Sequence, residues 1–190
     1  MAPPPPRRAR LARLPTPIER LTRIEALLGG PEIWIKRDDL TGLAFGGNKT
    51  RMFEFSLAEG IKRGADTIVS GAAVQSNYCR QLAAACAKLG LELHLLLAPV
   101  RDIDKVESQG NNLLQRLCGA HVTVLEKGKR LIQKDAIAAK VAQLEAQGRN
   151  VYRPRQADTI DLDVIAYAEA GLEIERQCQE QGIAPSYLYL

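Results

Sequence analysis

Short apolar segments that alternate with amphipathic segments constrain the fold of this chain more than any other feature. Apolar runs of strand length are separated by stretches in which apolar side chains recur every three or four residues, as on one face of a helix. The alternation predicts strands at 33–37, 67–70, 94–98, 121–125 and 151–153, and helices at 49–62, 76–89, 108–117, 130–147 and 162–181. Because the strands are apolar on both faces, the sequence predicts an α/β protein with parallel twisted sheets and flanking helices.

Two finer expectations follow from the same pattern. In the helix at 108–117 we expect Leu113, Leu114 and Leu117 to face inward. The final residues, YLYL, are predicted as a further strand. In a parallel sheet, ligand-binding loops follow the carboxyl ends of the strands, and the sequence stops where such a loop would begin. We therefore expect an incomplete domain.

Positive charge is concentrated at the amino terminus. Residues 1–23 contain six Arg and one acidic residue, whereas the remainder carries 20 basic and 21 acidic residues. A nucleic-acid-binding face is therefore not expected, and residues 1–13 are predicted to be a disordered Pro/Arg tail. No apolar run is long enough to span a bilayer and no leader with an apolar core is visible. We expect a cytoplasmic protein without a membrane partner.

The cysteines and histidines do not form a recognisable metal motif. The four cysteines contain no CxxC pair, and His94 and His121 do not complete a zinc-type spacing, so no metal site is predicted. Cys79 lies in the first turn of a predicted helix, where a thiolate is favoured. With no histidine near it in sequence, we interpret Cys79 as a packing residue and both histidines as structural. The cysteines are expected to be reduced and mostly buried: Cys79, Cys86, Cys118 and Cys178.

The segment GGNKTR, Gly46 to Arg51, is the first candidate for chemistry. Its two glycines permit a tight backbone close to a ligand. Lys49 lies in the first turn of a predicted helix, where the partial positive charge of the helix favours the neutral amine that imine chemistry requires. On these residues alone, a surface lysine beside a glycine turn remains the alternative.

The segment VQSNYCR, Val74 to Arg80, is the second candidate and lies between a predicted strand and a predicted helix. Ser76 and Asn77 are good helix-capping residues, and the backbone N–H groups there suit a carboxylate or a phosphate. The Ser76 hydroxyl is a candidate to act on a substrate, and the Asn77 amide to hold a ring oxygen. A plain helix cap is the alternative.

Together these segments resemble a known family. The stretches TPIERL, IWIKRDDLTGLAFGGNKTR, GADTIVSGAAVQSNYCRQLAAACAKLGL and SQGNNLLQRLCGAHV resemble pyridoxal-phosphate (PLP) enzymes of the tryptophan synthase β fold type, fold type II. Within that type they are similar to the D-cysteine desulfhydrase and ACC deaminase group. The resemblance covers about residues 14–125. It implies PLP as the cofactor, a small amino acid as the substrate, and a homodimer in the full-length protein.

The resemblance also assigns roles to individual residues. Lys49 matches the lysine that bonds covalently to PLP, Asn77 the residue that holds the cofactor's 3′-oxygen, and Ser76 a hydroxyl that faces the substrate. By the same resemblance Asn77 also contacts the substrate. The flanking residues assigned to this site are Asn48 for the cofactor and Gln75 and Tyr78 for the substrate.

The family's architecture implies a division of the chain. A large cofactor domain would comprise residues 14–51 and 159–190, and a small α/β domain residues 52–158. The Gly/Ser/Thr-rich loop for the PLP phosphate, the partner of the pyridine nitrogen and a tyrosine near the carboxyl terminus of some members are expected beyond Leu190.

The chain departs from the family in two places. Met52 and Phe53 replace the family's usual Lys-Leu, and RPRQADTIDLDVIAYAEA replaces a glycine-rich stretch near 154–165. The second departure leaves the substrate open. The resemblance implies a D-cysteine desulfhydrase that yields pyruvate, sulfide and ammonia, with an ACC deaminase or an inactive truncated fragment as the alternatives.

Overall fold

The centre of the fold is a four-stranded parallel sheet. The computed structural model describes residues 8–126 and 130–189, and of residues 130–132 only the backbone. The sheet has the order β5-β4-β3-β6, and a separate antiparallel pair, β1-β2, precedes it in the chain. The strands are β1 Ile18–Arg20, β2 Trp34–Lys36, β3 Thr67–Ser70, β4 Glu92–Leu97, β5 His121–Val124 and β6 Val151–Tyr152.

Helices connect the strands and cover both faces of the sheet. They are α1 Thr22–Leu28, α2 Lys49–Lys62, α3 Asn77–Leu89, α4 Gly110–Leu117, α5 Arg130–Ala146 and α6 Ile160–Gln181. On one face, Phe53 and Leu57 of α2 and Leu82 of α3 pack on the central strands. Side chains of α5 pack on the other face, against Val69 and Leu96. Burial of each such side chain contributes roughly 1.5–3 kcal/mol to folding.

Most of the elements predicted from the sequence are confirmed. The helix at 49–62 and the strand at 67–70 have the predicted bounds, and the other elements differ by a few residues. The parallel α/β sheet with flanking helices is confirmed as well. Among the described residues, no helix combines the length and the apolar character that crossing a membrane requires.

The predicted inward face of α4 is wrong for Leu113 and Leu117, whereas Leu114 is half-buried. Leu113 is 41% exposed and Leu117 is 72% exposed, whereas Asn112 and Gln115 are buried. The reason is a hydrogen bond made across the fold: the Gln115 Nε2 group donates to the Val74 carbonyl at 3.3 Å. The loop that this helix covers offers a backbone acceptor, so the polar side of the helix faces it.

Two predictions at the ends of the chain also need correction. Residues 187–189 of the YLYL segment form no strand, because they pair with none of the described strands; Leu190 lies outside the described residues. The predicted disordered tail is wrong for residues 8–13, whereas residues 1–7 lie outside the described residues.

The reason for the ordered segment at 8–13 is the buried carboxylate of Glu54. Leu11 is itself buried, and the N–H groups of Leu11 and Ala12 both donate to Glu54 Oε1 at 2.8 Å. Arg8 Nε donates to Glu54 Oε2 at 2.6 Å. A buried carboxylate needs such donors, and the amino-terminal segment supplies them.

Candidate active site

The glycine loop before α2 is shaped by close backbone contacts. Gly46 and Gly47 both have positive φ, 72° and 130°. A Cβ added at Gly46 would lie 1.7 Å from the Asp39 carbonyl oxygen, and one added at Gly47 would lie 2.5 Å from Gln81 Nε2. Only glycine fits both positions. The tight loop predicted from GGN is therefore confirmed.

Arg80 of α3 holds this loop through hydrogen bonds to its backbone. Its guanidinium donates to the Ala44 carbonyl and, at 3.3 Å, to the Gly46 carbonyl. Ala44 and the residue that follows it, Phe45, have positive φ values, which are unusual for residues other than glycine. Arg80 is largely buried, and burial lowers its pKa. Its hydrogen bonds to the loop carbonyls offset the strain of these backbone conformations.

Gln81 joins the first turns of α2 and α3. Its Oε1 accepts from both the N–H and the hydroxyl of Thr50, each at 3.0 Å. Its Nε2 donates to the Asn77 carbonyl at 3.1 Å. This fully buried amide thus places the residue that follows Lys49 beside the turn that carries Ser76 and Asn77. No residue near Gln81 in the sequence indicates this role.

Lys49 is the first residue of α2 and is half-buried. Among the described residues, its Nζ group donates to the Tyr167 hydroxyl, with 3.4 Å between Nζ and the oxygen. The Tyr167 ring centroid lies 5.8 Å from Nζ, and its hydroxyl donates to Met52 Sδ at 3.2 Å. Asn48 precedes Lys49 as an exposed residue whose side chain makes no capping bond.

Ser76 and Asn77 form the amino terminus of α3. Ser76 is the N-cap, and its Oγ accepts from the Cys79 N–H at 3.3 Å, so the predicted helix cap is confirmed. The Asn77 side chain is exposed, and its Oδ1 accepts from Asn111 Nδ2 at 2.9 Å. The bond from Asn111 fixes the orientation of the Asn77 amide, so the Asn77 N–H₂ group faces away from Asn111.

Gln75 is held by the same residue of α4. Its Oε1 accepts from the Asn111 N–H at 2.9 Å, and its backbone carbonyl accepts from Asn111 Nδ2 at 2.8 Å. The Gln75 Nε2 group donates to the Gln109 carbonyl at 3.2 Å. Asn111 therefore orders the whole segment that carries Gln75 and Asn77. Asn111 lies in SQGNN, one of the segments that resemble the family, but the resemblance assigns it no role.

Tyr78 faces the interior. Its ring packs edge-on against Phe53, with centroids 5.0 Å apart, and its hydroxyl oxygen is buried. Burial raises the pKa of Tyr78, an effect that the Ser70 hydroxyl partly offsets. The Arg155 guanidinium lies 5.6 Å from the ring centroid. The role of Tyr78 in substrate binding stays a prediction.

Asp163 of α6 is a buried carboxylate close to this group of residues. Its Oδ2 lies 3.1 Å from Arg155 Nε. Burial raises the pKa of Asp163, and the charges of Arg155 and Lys49 act in the opposite direction. Asp163, Arg155 and Tyr167 all belong to the segment that departs from the family pattern. Sequence reasoning marked that segment as unusual but did not identify these side chains.

Cys79 is not a nucleophile in this structure. The residue is fully buried in the main core, and burial raises the pKa of its thiol to about 12 although Ser76 lowers it. Burial therefore outweighs the helix terminus that favours a thiolate. The interpretation of Cys79 as a packing residue is confirmed.

A buried ion-pair network positions the start of α2 against α6. Arg51 Nη2 lies 2.8 Å from Asp38 Oδ1 and 2.9 Å from Glu173 Oε1. Burial opposes the charge on Arg51, but the bonds from both carboxylates outweigh it and raise its pKa. Lys36 Nζ reaches the same Glu173 oxygen at 2.5 Å. The network holds α6, and with it Tyr167, next to Lys49.

A cleft of about 720 Å³ lies beside the glycine loop. Its lining includes Gly46, Gly47, Asn48 and Arg80 but neither Lys49 nor Ser76. The candidate site therefore rests on the side-chain geometry around Lys49 rather than on this cleft.

Comparison with known proteins finds similarity over nearly the whole chain. D-cysteine desulfhydrases from Salmonella paratyphi B and Salmonella newport are each 41% identical over 176 residues, which cover 91% of this chain and 52% of each relative. The chain thus spans about half the length of the curated relatives it matches.

Solved structures agree. An ACC deaminase homologue is 31% identical, with a TM-score of 0.80 over 90% of this chain and 51% of that protein. A diaminopropionate ammonia lyase from Escherichia coli shares the fold, with 18% identity and a TM-score of 0.68. The match covers 92% of this chain and 46% of that protein. The expected fold type is confirmed. The model of the family described as pyridoxal-phosphate dependent enzyme matches residues 9–189, and the chain belongs to that family.

Proposed function

We propose that Lys49 is the residue that holds PLP and that the protein is a lyase or deaminase of small amino acids, with D-cysteine desulfhydrase as the favoured activity. The observation that supports this most is the place of Lys49, half-buried at the start of α2 and beside the turn that carries Ser76 and Asn77. The 41% identity to D-cysteine desulfhydrases supports the choice of activity.

The side chains around Lys49 fit the reactive end of this cofactor. Lys49 Nζ donates to the Tyr167 hydroxyl and, among the described residues, not to a carboxylate, so no ion pair has to break before it bonds to an aldehyde carbon. Asn77 has its carbonyl oxygen engaged by Asn111, so its amide N–H₂ is available to donate to an anionic ring oxygen. Asn48 and the glycine loop would flank the ring.

The chain's own residues would divide the remaining work. PLP, when bound, withdraws electron density from the substrate's Cα, which makes the Cα proton acidic. Lys49 Nζ would take that proton. Ser76 and the backbone N–H groups at the start of α3 would bind the substrate carboxylate. Gln75, fixed by Asn111, would orient this turn.

ACC deaminase is the second candidate, because the solved homologue of that enzyme is 31% identical. Its substrate has no Cα proton, so the reaction depends more on a nucleophile or on proton transfer at Cβ. On the resemblance alone, we also propose that the full-length protein is a cytoplasmic homodimer. The division into a domain of residues 14–51 and 159–190 and a domain of residues 52–158 is proposed on the same basis.

The activity is tested on the protein expressed from its whole coding sequence. D-cysteine, L-cysteine and ACC are supplied separately, and sulfide, ammonia and keto acid are measured. We expect sulfide, ammonia and pyruvate in equal amounts from D-cysteine. Ammonia from ACC without turnover of D-cysteine would favour the second candidate. No turnover of any of the three would contradict the proposal.

Two substitutions separate the proposed roles of Ser76 and Asn77. Ser76→Ala should lower turnover with little effect on PLP affinity, because its proposed partner is the substrate carboxylate. Asn77→Ala should change the absorption of bound PLP, because it contacts the ring oxygen. Ser108→Ala, at an exposed serine, is the control. Normal turnover in both variants would reduce this segment to a helix cap.

A further inference from the structure

Both histidines of the chain meet at the amino-terminal edge of the parallel sheet. The chain contains two histidines, and the register of β4 and β5 places His94 directly opposite His121. Glu92 precedes His94 by two residues, so the two side chains lie on the same face of the strand. The imidazole rings are stacked, with centroids 4.6 Å apart and planes 19° apart.

The three side chains bring their ligand atoms to one point. Glu92 Oε1 lies 2.8 Å from His94 Nε2 and 3.6 Å from His121 Nε2. One ligand atom from each of the three lies within 4.8 Å of the others. Ligands bound tetrahedrally to zinc at about 2.0–2.2 Å are about 3.3–3.6 Å apart. The distances from Glu92 Oε1 to the two histidine nitrogens, 2.8 and 3.6 Å, are close to that range, and every pair of ligand atoms lies within 4.8 Å.

Arg149 orients the glutamate. Its Nη2 group donates to Glu92 Oε2, and its Nε group donates to Thr67 Oγ1 at 2.9 Å. This leaves Glu92 Oε1 directed at the two histidines. Metal sites commonly use such a neighbouring hydrogen bond to fix a carboxylate ligand.

The geometry leads to a metal site separate from Lys49. We propose that Glu92, His94 and His121 bind one Zn²⁺ ion at this edge of the sheet. The side chain of His121 is 61% exposed, Glu92 33% and His94 13%, so a fourth position is open to water. The site lies at the amino-terminal ends of β4 and β5, whereas Ser76 follows the carboxyl-terminal end of β3. The inference does not depend on the proposed enzyme activity.

The test is zinc titration of the metal-free protein by calorimetry, with Co²⁺ absorption as a second readout. One equivalent of Zn²⁺ should bind, and the imidazole NMR signals of both histidines should shift. His121→Ala removes an exposed ligand and should weaken binding by at least about 10-fold, because loss of even an outer partner costs about that much. Glu92→Gln should also weaken zinc binding.

The cysteines provide the matched control. Cys118 and Cys178 are partly exposed thiols, and zinc binds thiolates. A Cys118→Ser, Cys178→Ser double variant should bind zinc as the wild type does. At the same zinc concentration, the Tm of the wild type should rise more than that of His121→Ala. The proposal is overturned if the wild type binds no zinc, if His121→Ala binds it equally well, or if the cysteine variant loses it.

Discussion

Glu173 is expected to stabilise the fold by about 3 kcal/mol at neutral pH. Burial alone would raise its pKa, but bonds from Arg51 and Lys36 outweigh burial and lower the pKa from 4.5 to about 2. Each unit by which the pKa is lowered corresponds to about 1.36 kcal/mol of folding free energy, which gives about 3 kcal/mol in total. Removing one partner of a buried ion pair typically costs about 3–5 kcal/mol, so the two magnitudes agree.

The sign of the pH dependence follows from the lowered pKa. Because Glu173 holds its proton less tightly in the folded state, its stabilisation is complete above the unfolded pKa of about 4.5. It is lost as the pH falls from there to about 2. Glu173→Gln, which mimics the protonated form, should lack this contribution at every pH.

The assay is urea unfolding of the wild type and Glu173→Gln between about pH 2 and pH 7. The difference in the free energy of unfolding should be about 3 kcal/mol at pH 7 and should approach zero near pH 2. Glu175→Gln, at an exposed position on the same helix, should differ little from the wild type at either pH. A difference below about 1 kcal/mol at pH 7, or one that does not shrink in acid, would refute the reasoning.

Two further predictions concern packing around the site. Gly46→Ala should destabilise the protein and abolish PLP binding, because its Cβ would lie 1.7 Å from the Asp39 carbonyl oxygen. Gly30→Ala is the control, since a Cβ there would have nothing within 4 Å. Equal thermal stability of the two variants would contradict the predicted clash. Cys79 and Cys86, whose burial raises both pKa values to about 12, should react with a thiol reagent only on unfolding, whereas the two partly exposed cysteines react in the native state. Rapid labelling of Cys79 in native protein, located by peptide mass spectrometry, would show that this core opens.

The elements of the fold were predictable because their signals are local. The helix at 49–62 and the strand at 67–70 have the periodicity of their own side chains, and that periodicity does not depend on the rest of the chain. The inward face of α4 was not predictable in this way. Gln115 is buried because the Val74 carbonyl, 41 residues earlier, needs a donor, and no local pattern reports that need.

The candidate site was likewise predictable only where its signals are local. Lys49, Ser76 and Asn77 lie in motifs whose glycines and capping residues are visible in the sequence. Tyr167 lies 118 residues beyond Lys49, and nothing in the neighbouring residues indicates that the two side chains meet. The pairing of His94 with His121 depends on strand register, which hydrophobic patterning does not specify for strands that are apolar on both faces.

The central claim is that Lys49 holds PLP, and trapping of the bound cofactor tests it most directly. The protein expressed from its whole coding sequence is incubated with PLP and reduced with borohydride, and the labelled peptide is identified by mass spectrometry. The label should be on Lys49, should be absent from Lys49→Ala, and should be unchanged in Lys62→Ala, an exposed lysine at the other end of α2. A label on another lysine in the wild type, or a label of equal yield in Lys49→Ala, would contradict the claim.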